Sequence, residues 1–147
     1  TNWTAGNTAN TARSAAFAAG TQTSAIFAGG SPSLTAAEEY NGTSFANTGS
    51  LLVGAQGANA AGADSDAALF TSGGNGTSPS GGDQTQSDNG SIFATGPILS
   101  SKRGYAAGVG TQTAAVVGGG LRGTGVNTTE DFTGETETAN ITDFTTS

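Results

Sequence analysis

The chain has no cysteine, no histidine and no methionine among its 147 residues. Without cysteine there are no disulfides and no thiolate metal sites. Because histidine is missing too, the common Ser-His-Asp and Cys-His nucleophile systems and most transition-metal sites are excluded. We therefore expect a protein that is not an enzyme and that uses no cofactor. Since residue 1 is not methionine, we also expect a processed form or an excerpt of a longer protein.

Basic charge is equally scarce. Four lysines and arginines stand against eleven acidic residues, which gives a net charge of −7. Such a chain lacks the electrostatic footprint that binds phosphate backbones. No apolar run approaches the ~20 residues that a membrane-spanning helix needs. We expect neither a nucleic-acid partner nor membrane insertion.

Large apolar side chains are few as well. Only 34% of the residues are hydrophobic, and the aromatics amount to one Trp, seven Phe and two Tyr. Much of the remainder is alanine, which buries little area, so a thick helical core is not expected. Gly, Asn and Ser turns separate short segments with almost no 3.6-residue periodicity, and this pattern favours an all-β fold.

What the sequence does contain is an internal repeat. Thr-Gln-Thr occurs at 21–23 and again at 111–113, and the same offset relates the diglycines, Arg13 to Arg103 and Trp3 to Phe93. A degenerate middle copy holds Phe45 and its own diglycine. The units are about 1–42, 43–90 and 91–134, followed by an acidic, threonine-rich tail at 135–147. The repeat positions are Trp3, Phe45, Phe93, Arg13, Arg103, Gly29, Gly30, Gly73, Gly74, Gly119 and Gly120.

Local patterns predict the strands and turns of these units. In the first unit we expect strands at 14–19, 24–28, 36–40 and 43–46. Asn41-Gly42 and Asn89-Gly90 predict tight primed hairpin turns, in which both residues have positive φ. Residues 75–88 hold no apolar side chain and predict an exposed loop.

The order of arginine, small-residue strands, diglycine, an acidic-aromatic strand, a turn and then Trp or Phe resembles the kelch repeat. Thr-Ala-Arg-Ser, Gly-Thr-Gln-Thr and Glu-Glu-Tyr-Asn-Gly-Thr-Ser-Phe look like kelch-like repeats in structural proteins of tailed bacteriophages, notably those of cyanobacteria. The resemblance covers residues 1–134. The second unit departs from it, with Gln56 near the arginine position, Asp64-Ser65-Asp66 in place of Thr-Gln-Thr, and Asp88 in place of the tyrosine.

The resemblance implies a propeller-like array of three kelch-type units, in which Trp3, Phe45 and Phe93 pack between neighbouring sheets. Closed propellers have about 4–8 blades, so three units do not close a ring. Two chains completing a ring, further blades from a longer parent, and a β-trefoil or β-prism remain alternatives. Unpaired sheet edges would favour assembly through the first ~10 residues and the acidic tail.

Candidate sites are weighed against simpler roles. Repeated arginines more often bind strand carbonyls or a carboxylate than a ligand, so we assign Arg13 and Arg103 a structural role. Weak calcium candidates are Asp64, Asp66, Asp83 and Asp88. Their spacing lacks the twelve-residue calcium loop, so solvated turns are favoured and no metal is predicted. Weak glycan candidates are the aromatics Trp3 and Tyr105.

The resulting hypothesis is a non-enzymatic structural protein of a phage particle, located in the virion or extracellularly. It would belong to a tail, neck, fibre or capsid surface, where it serves assembly and host attachment. Its partners would be copies of itself, other virion proteins and a host-surface glycan. A carbohydrate-binding module and a bacterial cell-surface adhesin or filament subunit are the alternatives.

Overall fold

The structure is a computed structural model that describes residues 2–71, 73–74 and 81–134. These residues form strands and no helix, which confirms the all-β prediction. Within them there is accordingly no helix with the length and hydropathy needed to cross a membrane. The tail at 135–147 and residues 75–80 of the predicted loop at 75–88 lie outside the described residues.

The strands form three antiparallel sheets and a small ribbon. Sheet 1 consists of β1 (Phe17–Gly20), β2 (Ala25–Ala28), β3 (Ala36–Tyr40) and β4 (Phe45–Ser50). Sheet 2 consists of β5 (Asn59–Gly62), β6 (Ala68–Thr71), β7 (Thr85–Asp88) and β8 (Phe93–Gly96). Sheet 3 consists of β9 (Ala107–Gly110), β10 (Ala114–Gly118) and β13 (Thr129–Thr133), and the ribbon of β11 (Leu121–Arg122) and β12 (Thr124–Gly125).

Strands pair with their neighbours in sequence within each sheet, and the pairing defines equivalent residues. The last residue of each first strand pairs with an alanine of the second strand: Gly20 with Ala25, Gly62 with Ala68, and Gly110 with Ala115. Sheet 3 has three strands among the described residues where sheets 1 and 2 have four. The fourth strands begin at Phe45 and Phe93, so sheets 1 and 2 each take their last strand from the start of the next sequence unit.

The first strands of the three sheets lie side by side, with β5 between β1 and β9. Sheet 2 therefore packs against sheet 1 on one face and sheet 3 on the other. The larger core lies between sheets 1 and 2, where the Phe70 ring lies 5.3 Å from Phe17 and 5.6 Å from Phe93. A smaller cluster between sheets 2 and 3 contains Leu69 and Ala115. The core is thin because alanines fill many of its positions.

The Asn-Gly turns differ from the primed turns predicted from the sequence. Positive φ occurs at Gly42 (89°) and Gly90 (85°) but not at the preceding asparagines. Instead, the side-chain oxygen of Asn41 accepts hydrogen bonds from the backbone of the two residues after the glycine, and Asn89 does the same. The asparagine side chain stabilises a four-residue loop, so a two-residue turn is not needed.

Two first strands end in glycines that no other residue could replace without strain. Gly20 has a φ of +114° and Gly110 a φ of +123°. A Cβ at Gly20 would lie 2.2 Å from the carbonyl oxygen of Ser24, just before β2, and a Cβ at Gly110 would lie 2.2 Å from that of Ala114, the first residue of β10. Glycine is required here both by its conformation and by the close backbone approach.

A buried polar strand lies within the segment predicted to be an exposed loop. Thr85, Gln86 and Asp88 of β7 are all buried, and β7 pairs with strands on both sides. The prediction was wrong for this part because β7 carries no apolar residue. Its side chains are instead held by hydrogen bonds, such as those of Gln86 to Val53.

Candidate functional site

Each unit has a polar contact that ties the chain entering a sheet to the third strand of that sheet. In sheet 1, Nη1 of Arg13 donates to the carbonyl oxygens of Gly29 at 3.1 Å and Ala36 at 2.9 Å. Its Nη2 donates to Glu38, which is 1% exposed. We call this arrangement of arginine, carboxylate and backbone groups the arginine node.

Sheet 3 repeats the node residue for residue. Nη1 of Arg103 donates to the carbonyls of Gly119 at 3.2 Å and Thr128 at 2.9 Å, and Nη2 lies 2.6 Å from Oε1 of Glu130. Arg103 is 1% exposed and its carboxylate partner 19%. Both arginines thus bind backbone carbonyls and a carboxylate, and neither projects into solvent to meet a ligand.

The carboxylates of the nodes also bind the chain before each arginine. Glu38 accepts backbone hydrogen bonds from Asn10 at 2.7 Å and Thr11 at 2.9 Å, and Glu130 accepts one from Ser100 at 2.6 Å. Burial alone would raise the pKa of both carboxyls. The hydrogen bonds from these backbone groups and from the arginines outweigh it, so the pKa of each lies below its ordinary value of 4.5.

Sheet 2 carries an uncharged version of the node. Oε1 of Gln86 accepts hydrogen bonds from the backbone of Leu52 at 2.6 Å and Val53 at 3.3 Å, as the carboxylates do in the other sheets. The arginine position is occupied by Ala55. A buried carboxylate without its cation would be costly, and here both charges are absent together.

The assignment of Ala55 follows from a hydrogen bond that recurs between units. The Gly30 N–H donates to the Ala55 carbonyl at 2.8 Å, and the Gly73 N–H donates to the Arg103 carbonyl at 3.3 Å. Gln56, which the sequence places near the arginine position, therefore lies one residue beyond it. Gly73 corresponds to Gly30, with φ values of 102° and 116°, so the predicted alignment of the middle diglycine was also displaced by one residue.

A second ladder links the units two residues after each arginine position. Ala15, Gly57 and Tyr105 have positive φ values of 51°, 59° and 54°. The Gly57 N–H donates to the Ala15 carbonyl at 2.9 Å, and the Tyr105 N–H donates to the Gly57 carbonyl at 2.7 Å. Within the described part of the chain, the Ala15 N–H and the Tyr105 carbonyl at the two ends have no partner.

The three repeat aromatics do not occupy equivalent surroundings. Phe93 is buried against Phe70, and Phe45 is half-buried with its ring 5.4 Å from Phe27. Trp3, predicted to pack in the same way, is fully exposed. The described residues contain no preceding sheet that would receive it.

The acidic calcium candidates do not gather around one point. Among the residues that the structure describes, no group of three or more acidic side chains is arranged to hold a metal ion. Asp64 accepts a hydrogen bond from the Asp66 backbone within its own loop. Asp83 offers its backbone carbonyl to Leu99. Asp88 is fully buried, with Oδ1 unpartnered among the described atoms.

The surroundings of Asp88 raise the pKa of its carboxyl. Burial raises its pKa above the ordinary 3.8, and the nearby charges of Glu39 and Asp66 raise it further. The hydrogen bond from the Gly90 N–H to Oδ2 opposes this but does not overcome it. Asp88 therefore destabilises the fold when it is charged.

The outer face of sheet 3 exposes positions that are buried in the other sheets. Val116 of β10 is 41% exposed, whereas its equivalents Ile26 in sheet 1 and Leu69 in sheet 2 are 0% and 2% exposed. Val109, which pairs with Val116, is 70% exposed. These valines would be core residues if a further sheet followed.

Two cavities lie near the ends of the array. An open groove of about 700 Å³ beside Trp3 is lined by Gln22 and Tyr40. A smaller, mostly apolar cavity of about 70 Å³ lies between sheets 2 and 3, beside Val117 and Phe132. The exposed glycan candidates Trp3 and Tyr105 do not line one common cavity within the described residues.

No protein-family model and no curated protein matches the chain. Among solved structures it is similar to that of YjhT, with a TM-score of 0.69 and 16% sequence identity. The match covers 85% of this chain and 44% of the YjhT chain. At this identity the likeness concerns the fold alone, and the chain spans less than half of the length of YjhT.

Proposed function

We propose that the chain is a three-unit kelch-type array, propeller-like in arrangement, that serves as a non-enzymatic structural component of a phage particle. The observation that carries the proposal is the recurrence of the same contacts in successive sheets, together with faces at both ends that no sheet of the described residues covers. Such an array is suited to assembly.

The ladders favour a propeller over a trefoil or a prism. Equivalent residues of successive sheets, Ala15, Gly57 and Tyr105, are joined directly by backbone hydrogen bonds beside the first strands. This arrangement is expected where sheets radiate from an axis and their first strands crowd together. The likeness to YjhT concerns the fold and does not bear on a role.

The chemistry of the chain supports a structural role on a particle surface. The described residues offer no metal-ligand cluster, and the carboxylates with lowered pKa are engaged by arginines. A net charge of −7 disfavours contact with packaged nucleic acid. The phage assignment itself derives from the motif resemblance and implies a virion or extracellular location.

The test is to locate the chain in particles from its source. Mass spectrometry of purified particles should detect it together with capsid and tail proteins, and gold-labelled antibodies should mark one defined position on the particle. If the antibody labels bacterial cells instead, the protein is a surface adhesin or filament subunit. Absence from particles with complete tails and capsids would refute the proposal.

A glycan-binding role is the second candidate, and the setting of Tyr105 favours it. The ring is 58% exposed, its backbone is held at a positive φ, and its inner side lies over Gly57. A rigid, solvent-facing aromatic ring is a suitable platform for a sugar face. Binding on a glycan array that is lost in Tyr105→Ala and kept in Ile92→Ala would support it. No binding by the wild-type chain would exclude it.

A further inference from the structure

The N-terminal residues correspond to a fourth strand but belong to none of the sheets that the described residues form. Phe45 and Phe93, which begin the fourth strands, stand at the same distance before Ala55 and Arg103 as Trp3 does before Arg13. Residues 3–8 are therefore the counterpart of β4 and β8. All of them are exposed.

The placement of this segment supports the correspondence. The Asn7 side chain donates to the carbonyl of Thr43, in the loop between β3 and β4. At the equivalent point, Gly49 at the end of β4 lies so close to the loop between β7 and β8 that a Cβ would be 2.4 Å from the Ser91 carbonyl. Residues 3–8 thus already approach sheet 1 as β4 approaches sheet 2.

Among the described residues, sheet 3 has no counterpart of this strand or of its aromatic ring. In sheets 1 and 2 the ring that begins the fourth strand packs on a second-strand ring, Phe45 on Phe27 and Phe93 on Phe70. The equivalent second-strand residue of sheet 3 is Val117, and it lines the apolar cavity of about 70 Å³. The sequence after β13 has Glu137 where the other sheets have phenylalanine.

The backbone ladders end in complementary groups. The ladder through Ala15, Gly57 and Tyr105 leaves a donor at Ala15 and an acceptor at Tyr105. The recurring bonds to the Ala55 and Arg103 carbonyls leave the Gly120 N–H and the Arg13 carbonyl, likewise without partners in the described part of the chain. The beginning of one copy therefore offers the partners that the end of another copy lacks.

A repeated glutamine shows the same pattern. The Gln112 side chain donates to the carbonyls of Ala68 and Asp88 and so links sheet 3 to sheet 2. Its counterpart Gln22 in sheet 1 is exposed and has no partner among the described residues. The carbonyls equivalent to its missing acceptors are those of Ala115 and Phe132 in sheet 3.

We propose that a second copy of this chain closes the array head to tail. Residues 3–8 of each copy add to β13 of the other, and the Trp3 indole fills the cavity beside Val117. Sheet 1 then covers the exposed valines of the other copy's sheet 3. Two copies make six sheets, within the range of about 4–8 for closed propellers, whereas three copies would exceed it. The inference rests on the propeller-like arrangement proposed above and is independent of the virion role.

Trp3 is the only tryptophan, so its fluorescence reports directly on this contact. We expect a sedimentation mass of twice 14.1 kDa at micromolar concentration. The emission maximum should move to the blue over the same concentration range in which the mass doubles. Trp3→Ala should weaken self-association by on the order of 100-fold, since buried interface aromatics dominate binding energy. Ile92→Ala, which removes another exposed apolar side chain, should leave it unchanged.

Two single-cysteine variants test the direction of the contact, because the native chain contains no cysteine. Ala18 of β1 is equivalent to Ala60 of β5, and Ala107 of β9 is equivalent to Phe17 of β1. Ala60 and Phe17 belong to one core cluster between sheets 1 and 2, whereas Ala18 and Ala107 are both exposed. In a glutathione buffer, a mixture of Ala18→Cys and Ala107→Cys should form disulfide-linked pairs. Either variant alone should form none.

Several outcomes would overturn the inference. These are a monomer with solvent-exposed Trp3 at all concentrations, or self-linking of one cysteine variant as efficient as in the mixture. A third is a ladder of long disulfide-linked polymers when Ala18→Cys and Ala107→Cys are combined in one chain. The particle-labelling experiment is read separately. A monomer found in labelled particles would reject head-to-tail closure and keep the virion role, whereas a head-to-tail dimer absent from particles would do the reverse.

Discussion

Replacing Arg103 by alanine tests whether losing one charge of the arginine node costs more stability than losing both charges together. The substitution leaves the Glu130 carboxylate beside Ser100 with no cation and takes the donors from two carbonyls. The double variant Arg103→Ala/Glu130→Gln instead copies the arrangement of Ala55 and Gln86 in sheet 2.

The magnitudes follow from burial. Breaking a buried ion pair by removing one partner costs about 3–5 kcal/mol. Because Glu130 is 19% exposed, we expect the lower end, about 3 kcal/mol, for Arg103→Ala. The double variant should lose only about 1–2 kcal/mol, since a neutral amide still accepts the Ser100 hydrogen bond. The interaction energy between the two sites should therefore be at least about 2 kcal/mol.

The assay is urea unfolding followed by far-ultraviolet circular dichroism at one fixed protein concentration, with Arg122→Ala as an exposed control expected within about 0.5 kcal/mol of wild type. The Glu130 pKa is lowered in the fold, so its contribution is present above pH 4.5 and is lost as pH falls through the folded value. The double variant should lose less stability in this acid range. A double variant as unstable as Arg103→Ala would refute the reasoning.

Three further perturbations have defined outcomes. Asp88→Asn should raise the unfolding free energy at neutral pH, because the raised pKa of Asp88 means that its charged form destabilises the fold. This gain should disappear below pH 3.8, where Asp88 is protonated in both states. Equal stability of the two proteins at neutral pH would contradict the prediction. Phe93→Ala should cost about 3–5 kcal/mol and the half-buried Phe45→Ala about 1–2, measured by urea unfolding, and the reverse order would mean that the cores are wrongly assigned. Gly110→Ala should cost at least about 2 kcal/mol in thermal or urea unfolding, whereas Gly125→Ala, which meets no atom within 4 Å, should be nearly neutral; equal effects would argue against the close approach.

The sequence predicted the features that depend on spacing. Strands at 24–28 and 36–40 are close to β2 and β3, and the offset between Arg13 and Arg103 relates two nodes with the same contacts. Spacing succeeds here because strand length and turn residues are local properties.

The features that the sequence did not predict depend on contacts between distant segments. The sequence places Gln56 near the arginine position, but the node in sheet 2 is uncharged and its key residue is Gln86 on another strand. The polar sequence of β7 predicts a loop, whereas its burial depends on pairing with both neighbouring strands, which the sequence does not show. Trp3 matches the repeat in sequence, but it is exposed because no sheet formed by the described residues packs against it.

The nodes also constrain the order in which each unit acquires its structure. Arg13 and Glu38 are separated by 25 residues, Leu52 and Gln86 by 34, and Arg103 by 27 from its carboxylate. Closing such a loop costs conformational entropy before the buried contact offsets it. Each hairpin of the first two strands should therefore form early, and the segment entering a sheet should dock only after the third strand is in place. Because all three units share this late step, we expect refolding in milliseconds to seconds, the range of domains dominated by non-local contacts.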